Sequence, residues 1–200
     1  TMNENYSHPE MPKDKNCEEG ILKGMYKIKE FTKYKKTKIQ LLGSGTILRE
    51  MMIAAEILQN EYQIDSEIWS VTSFNELRKE ALAITRENML QPGKKAKMPY
   101  VTEMLSTEKG PVVAATDYMK AHSEQVREFV PDTLRVLGTD GFGRSDSREQ
   151  LRHFFEVDCK FIVLAALTEL KELGDVSAKQ ITDHMEKTGI SQDKPNPVEQ

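Results

Sequence analysis

The stretch "VLGTDGFGRSDSREQLRHFFEVD", residues 136–158, concentrates residue types that can grip an anion or shape a turn. Gly138, Gly141 and Gly143 surround Thr139, Asp140 and Phe142, and Arg144 and Ser145 follow before a helical-looking segment. A guanidinium beside a helix start can hold a phosphate or a carboxylate; Arg144 can equally pair with Asp140 or Asp146. The stretch is not a phosphate loop of the Gly-Lys-Ser/Thr type, nor a GxGxxG dinucleotide fingerprint. Its glycines, Gly141 and Gly143, are expected to supply positive φ or close approach to a neighbour.

Similar residues recur after each apolar run: Gly43-Ser44-Gly45, Thr72-Ser73, Thr116-Asp117 and Gly138-Thr139-Asp140. In open α/β sheets ligands gather outside the carboxyl ends of the strands. Ser44, Gly45, Ser73, Asp117, Asp140, Gly141, Gly143, Arg144 and Ser145 are therefore the candidates for an interface or ligand edge. The competing reading is that Ser, Thr and Asp stand there only to cap helices.

Other chemistry is thin. His8, His122, His153 and His184 never share the i, i+4 spacing of a helical metal site. His153 beside Phe154 and Phe155, and His184 near Ile181 and Met185, read as packed structure. No serine sits in GxSxG. Cys17 and Cys159 lack CxxC spacing, and two lone thiols suit a reducing compartment. No catalytic, cofactor or metal residue is assigned.

The elements that position these residues follow from hydrophobic patterning. "KIQLLG", "SEIWSVTS", "PVVAATD" and "LRVLG" read as buried strands, and "GILKGMYKIKEF" as an edge strand. "TILREMMIAAEILQNEY" places Ile47, Met51, Ala54, Leu58 and Tyr62 on one helical face. "NELRKEALAITRENM" opens with a Ser73/Glu76 capping box and stops at Pro92-Gly93. "YMKAHSEQVREFV" and "REQLRHFFEV" read as helices, the latter opened by Asp146 with Glu149 or Ser147 with Gln150. Asp158 caps "CKFIVLAALTELKEL", which Gly174 ends. Ser177 and Gln180 cap "AKQITDHMEK", which Gly189 ends. Strands alternating with helices imply an α/β fold with a mostly parallel sheet covered on both faces. Expected boundaries are a flexible lead-in over 1–17, the domain over 18–190 and a fraying tail over 191–200.

Two hundred residues with a net charge of -4 suit one domain and argue against a dedicated nucleic-acid binder. The basic stretch "KIKEFTKYKKTK" is the local exception, read as a solvated loop or a contact for an acidic partner. The longest apolar run, "FIVLAAL", is far short of the ~20 residues that span a bilayer, and the polar start lacks a secretory leader's core. A cytoplasmic location is expected. The Thr-Met start suggests an excised piece of a longer chain with a cloning residue added.

Six motifs carry a resemblance: "NENYSHPEMP", "EEGILKGMYK", "LLGSGTILRE", "SVTSFNELRKE", "DYMKAHSEQVREFVPD" and "VLGTDGFGRSDSREQLRHFFEVD". In this order they resemble the C-terminal end of the homodimeric pyruvate dehydrogenases. The resemblance implies a transketolase-like C-terminal domain, a three-layer α/β sandwich with a five-stranded mixed sheet. It implies an intact enzyme that decarboxylates pyruvate and reductively acetylates the lipoyl group of dihydrolipoyl acetyltransferase. Thiamine diphosphate and magnesium would be held by N-terminal and middle domains of two subunits, so the piece alone is expected to be inactive and cofactor-free. Its partners would be those domains, a second subunit and the acetyltransferase. Departures from the family pattern are Glu87 and Gln91 in "TRENMLQP", where Trp and His are usual, and Phe154, where a second His can stand. The residues by themselves leave two other readings: a self-sufficient α/β enzyme holding a phosphorylated ligand at the Ser44/Asp117/Asp140/Arg144 edge, or a pure interaction module.

Overall fold

The computed structural model describes residues 7, 9–13, 16–34 and 37–200. His8, Lys35 and Lys36, named above, lie outside them. The elements run α1 (Asn16–Lys23), β1 (Met25–Phe31), β2 (Lys38–Gly43), α2 (Leu48–Tyr62), β3 (Asp65–Val71), α3 (Phe74–Leu90), α4 (Tyr100–Leu105), β4 (Val112–Ala115), α5 (Lys120–Glu124), β5 (Leu134–Leu137), α6 (Arg148–Phe154), α7 (Cys159–Glu172) and α8 (Ala178–Thr188).

The sheet order is β1-β3-β2-β4-β5. Four strands are parallel, and β1 joins β3 antiparallel with a bulge at Ile28, between Lys27 and Lys29. Alternate strand residues feed two cores, as the period of two requires. Ile39, Leu41, Val113 and Ala115 face α2 and α7; Leu42, Trp69, Val112, Ala114 and Val136 face α3 and α4. The result is a helix–sheet–helix sandwich, as expected. Leaving β2, the chain crosses to β3 on one side; leaving β3, it crosses to β4 on the other. The winding direction thus reverses between β2 and β4, which opens a crevice at their carboxyl ends.

The caps explain where the helices start. Ser73, Ser147 and Asp158 each accept from the backbone N–H three residues on, and Ser177 with Gln180 completes a reciprocal capping box. Gly189, at φ 74°, closes α8 in the left-handed conformation.

The structure departs from several expectations. "GILKGMYKIKEF" is the end of a helix followed by a strand, because Cys17 and Gly20 bury one face of α1 before the chain turns at Gly24. The lead-in expected over 1–17 therefore ends inside α1, which begins at Asn16. "YMKAHSEQVREFV" is helical only over α5 and a 3-10 turn at Arg127–Phe129. In the tail, expected to fray, Pro197 is buried, and Lys194 donates to the Phe154 carbonyl and pairs with Glu156, each at 2.9 Å. The basic stretch is also less solvated than expected. Lys27 and Lys38 pair at 2.6 and 3.2 Å with Glu67, whose side chain is 1% exposed.

Candidate functional site

A cleft of about 450 Å³ opens at the carboxyl edge of the sheet. Thr46 and Ile47 enter it from the turn after β2, Asp117 from the turn after β4, and Thr139 and Gly141 from the turn after β5. Its position is the crevice where the winding reverses. Arg144, Arg148 and Arg152 supply its positive charge, with Asp146 and Asp117 opposing them. Arg148 and Arg152 stand one turn apart on α6, so they share a face.

Each arginine is held differently. The Arg144 guanidinium lies 4.3 Å from the centre of the Phe154 ring, where a cation meets the negative face of the π system. Arg152 is largely buried, and its Nη1 donates to Glu50 Oε1 at 2.7 Å. Glu50 Oε2 accepts from the Cys159 backbone N–H at 3.0 Å. One carboxylate thus joins α2 to both α6 and α7.

Turn chemistry fixes the acidic side. The Thr139 hydroxyl donates to the Asp117 carbonyl at 2.7 Å, and the Thr139 N–H donates to the Tyr118 carbonyl at 2.9 Å. These bonds lock the turns after β4 and β5 together. Gly141 has φ 103°, and a Cβ there would fall 2.7 Å from the Pro197 carbonyl oxygen. The tail therefore passes directly behind the loop. A Cβ at Gly143 would meet nothing within 4 Å, and its φ is ordinary. Within this chain Gly141 has both a positive φ and a close neighbour, and Gly143 has neither.

Of the nine candidates, Asp117, Gly141, Gly143 and Arg144 line the cleft. Gly45 adjoins it: a Cβ there would lie 3.5 Å from Asp117 Oδ1. Ser44 is spent internally, its hydroxyl donating to Thr116 Oγ1 at 2.9 Å. Ser73 is the N-cap of α3, accepting from the Glu76 N–H. Asp140 accepts from the Lys120 N–H at 2.9 Å and so organises the start of α5. Ser145 is exposed and outside the cleft lining. Sequence reasoning missed Arg148 and Arg152, although the spacing of four from Arg144 was visible. It missed Thr46, which follows the flagged Gly45.

The remaining candidates are structural. His184 is buried, with Nε2 donating to the Lys160 carbonyl at 2.9 Å and Nδ1 meeting the Tyr62 hydroxyl at 3.0 Å. His153 Nδ1 lies 3.0 Å from Asp158 Oδ2. Burial, with the Glu50 and Asp158 carboxylates, pushes the Cys159 thiol up from 9.0 to about 11. The thiolate is the nucleophile, and each pKa unit is a factor of ten. Iodoacetamide at pH 8 is therefore expected to alkylate native Cys159 about a hundredfold more slowly than an unperturbed thiol. Mass spectrometry of the native and urea-unfolded chain measures this, and equal rates would contradict it.

A sequence profile of the family described as the transketolase-like TK C-terminal domain matches residues 24–158. The pyruvate dehydrogenase E1 component of Pseudomonas aeruginosa is 53% identical over 99% of this chain, and that of Escherichia coli K12 is 51% identical over 98%. The chain spans 22% of each. A Pichia stipitis transketolase solved with xylulose 5-phosphate aligns with a TM-score of 0.53 at 15% identity, over 80% of this chain and 20% of that one. That likeness speaks for the fold alone. With the profile covering every strand of the sheet and the loop up to Asp158, this chain belongs to the transketolase-like C-terminal domain family.

Proposed function

We propose that this chain is the C-terminal domain of a pyruvate dehydrogenase E1 component, and that its carboxyl edge docks onto the rest of that enzyme. The observation that carries the reading is 53% identity running through almost the whole chain. The edge itself supports the docking. Tyr118, Met119 and Phe142 stand 63%, 60% and 82% exposed there, a cost in water that a covering domain would remove.

In the intact enzyme, thiamine diphosphate supplies the electron sink for loss of CO2 from pyruvate, and the acetyl unit passes to a lipoyl group of dihydrolipoyl acetyltransferase. Among the described residues no three His, Cys, Asp or Glu side chains gather to hold a metal ion, and a diphosphate needs a metal or a cradle of backbone donors. The part of this chain is assembly: presenting the edge, and holding the loop after β5 rigid with the tail and the Glu50 joint. Among the described residues no helix is long and apolar enough to cross a membrane; the working location in this reading is the cytoplasm, as part of a homodimer.

The test is a chimera in which this chain replaces the matching C-terminal segment of the Escherichia coli enzyme. The chimera is expected to decarboxylate pyruvate. Phe142→Asp is expected to lower its activity or dimer affinity at least about tenfold, a 1.4 kcal/mol effect, while leaving the melting point of the isolated chain within about 1 °C, because the ring is solvent-exposed. An inactive but folded chimera would overturn the assignment. A Phe142→Asp chimera that assembles normally would overturn the docking edge.

A further inference from the structure

We propose that the groove formed by Tyr26, Trp69 and Tyr100 is a binding site for an extended, proline-rich chain, and that its occupant is this chain's own Pro9-Glu10-Met11-Pro12 segment. The groove shares no lining residue with the cleft at the carboxyl edge. Its walls are aromatic. Tyr26 from β1, Trp69 from β3 and Tyr100 from α4 line a space of about 260 Å³, with Met104 and Cys17 beside them. The Tyr100 hydroxyl donates to the Met25 carbonyl at 3.0 Å, which holds its ring in place. Gly20 lets α1 lie against both tyrosines: a Cβ there would fall 2.8 Å from Tyr26 Cβ and 3.2 Å from Tyr100 Oη. Lys27, which also lines the groove, is paired with Glu67 at 2.6 Å, so it is not free to select an ion.

Aromatic-lined grooves of this kind take polyproline II segments, whose shape is set before they bind. Trp69 adds a polar handle. Its Nε1–H is buried and has no acceptor, whereas a buried indole N–H ordinarily finds one. A polyproline II segment has no internal hydrogen bonds, so its carbonyls are free to accept.

The lead-in carries the matching pattern. Proline recurs after three residues in Pro9-Glu10-Met11-Pro12, and polyproline II has three residues per turn, so both rings face one side. Burial follows that period: Pro9 and Pro12 are half-buried, and Glu10 and Met11 between them are exposed. Residues 9–13 belong to no helix or strand. Pro12 lines the aromatic groove. Pro9 lines a hollow with Met52 and Ile53 of α2, the helix that covers the opposite face of the sheet. Glu56 of α2 reaches Lys29 of β1 at 3.7 Å, which puts this part of α2 at the β1 margin. From Pro9 to Pro12, roughly 9 Å of polyproline II, the chain therefore passes round that margin from one layer to the other.

A tethered ligand needs little affinity of its own, because a short linker holds it at an effective concentration in the millimolar range. Proline also lowers the cost of ordering it. On the reading above, in which more of the enzyme precedes this chain, the docked segment fixes where that part leaves the domain. Only that consequence rests on the reading; the groove and its occupant do not.

Trp69 is the only tryptophan in the chain, so its emission reports on the groove directly. In the full 200-residue chain, Pro9→Ala with Pro12→Ala is expected to shift that emission; both positions lie outside every helix and strand. The free peptide Ser-His-Pro-Glu-Met-Pro-Lys, residues 7–13, contains no tryptophan. It is expected to reverse the shift in the double variant with saturation, and to bind that variant at least tenfold more tightly than the unmodified chain, whose groove is already filled. The same peptide with both prolines replaced by alanine is expected to bind at least tenfold more weakly. The single indole N–H resonance is expected to move as the peptide binds. Emission unchanged by the double substitution, no saturation, equal affinity for the two chains, or equal affinity for the two peptides overturns the proposal. None of these measurements uses the chimera, so the groove and the docking edge fail separately.

Discussion

Gly141→Val is expected to destabilise the isolated chain by about 2–4 kcal/mol. A side chain at φ 103° is strained by of order 1–3 kcal/mol. The added atoms meet the Pro197 carbonyl oxygen, which a Cβ alone would reach at 2.7 Å, and overpacking of this kind costs of order 1–3 kcal/mol. Part of the strain can be relieved by lifting the tail. The two contributions separate in a chain shortened after Ile190: there Gly141→Val should cost only the backbone strain. Gly143→Val, with open space around it and ordinary φ, is expected to stay within about 0.5 kcal/mol. Urea unfolding of these four variants beside the unmodified chain reads all of this. Equal costs at Gly141 and Gly143 would show that the tail does not press on the loop.

Glu50→Ala is expected to cost about 3 kcal/mol, the lower end of what removing one partner of a buried ion pair does. The side chains of Glu50 and Arg152 are 13% and 14% exposed, so the arginine would be left largely dehydrated beside an empty space. The Cys159 N–H would lose its acceptor as well. For a domain of this size the melting point should fall roughly 6–12 °C. Glu50→Gln keeps an acceptor for one donor and should recover part of the loss. A second readout is independent of stability. The Glu50 carboxylate is one of the groups that hold the Cys159 thiol up at about 11, so Glu50→Ala should bring that pKa down and speed alkylation in the folded chain. A melting point unchanged by Glu50→Ala would mean that the joint between α2, α6 and α7 carries no stability.

The strands that place the cleft were legible because each is a short apolar run ending in turn residues. The caps at Ser73, Ser147, Asp158 and Ser177 were legible because their chemistry is local. What escaped was short or distant. α1 and α4 span eight and six residues, too few for a periodic pattern to stand out from its surroundings. The tail is polar and proline-rich, so nothing in its composition announces that Pro197 is buried against a loop more than fifty residues earlier. The Glu50–Arg152 pair joins residues 102 apart, and no spacing rule reaches that far. At the candidate site the sequence marked the right edge but mixed two populations. Asp117, Gly141 and Arg144 face the cleft, whereas Ser73 and Asp140 serve helix starts, and both kinds of residue look alike in a βα turn.

The bulge at Ile28 has a consequence for life at high concentration. β1 is an outer strand of the sheet, with a row of backbone groups turned away from β3. A flat, regular outer strand is a template on which a second molecule can add its own strand, the first step of fibre growth. Here the extra residue interrupts the ladder between Lys27 and Lys29 and puts a kink between two lysines. A strand arriving from another molecule would find its hydrogen bonds out of step and would meet ammonium groups on both sides of the break. At the opposite margin β5 is only four residues long, with Arg135 held by Glu169 on the adjoining helix. Neither margin offers another copy a continuous surface to extend.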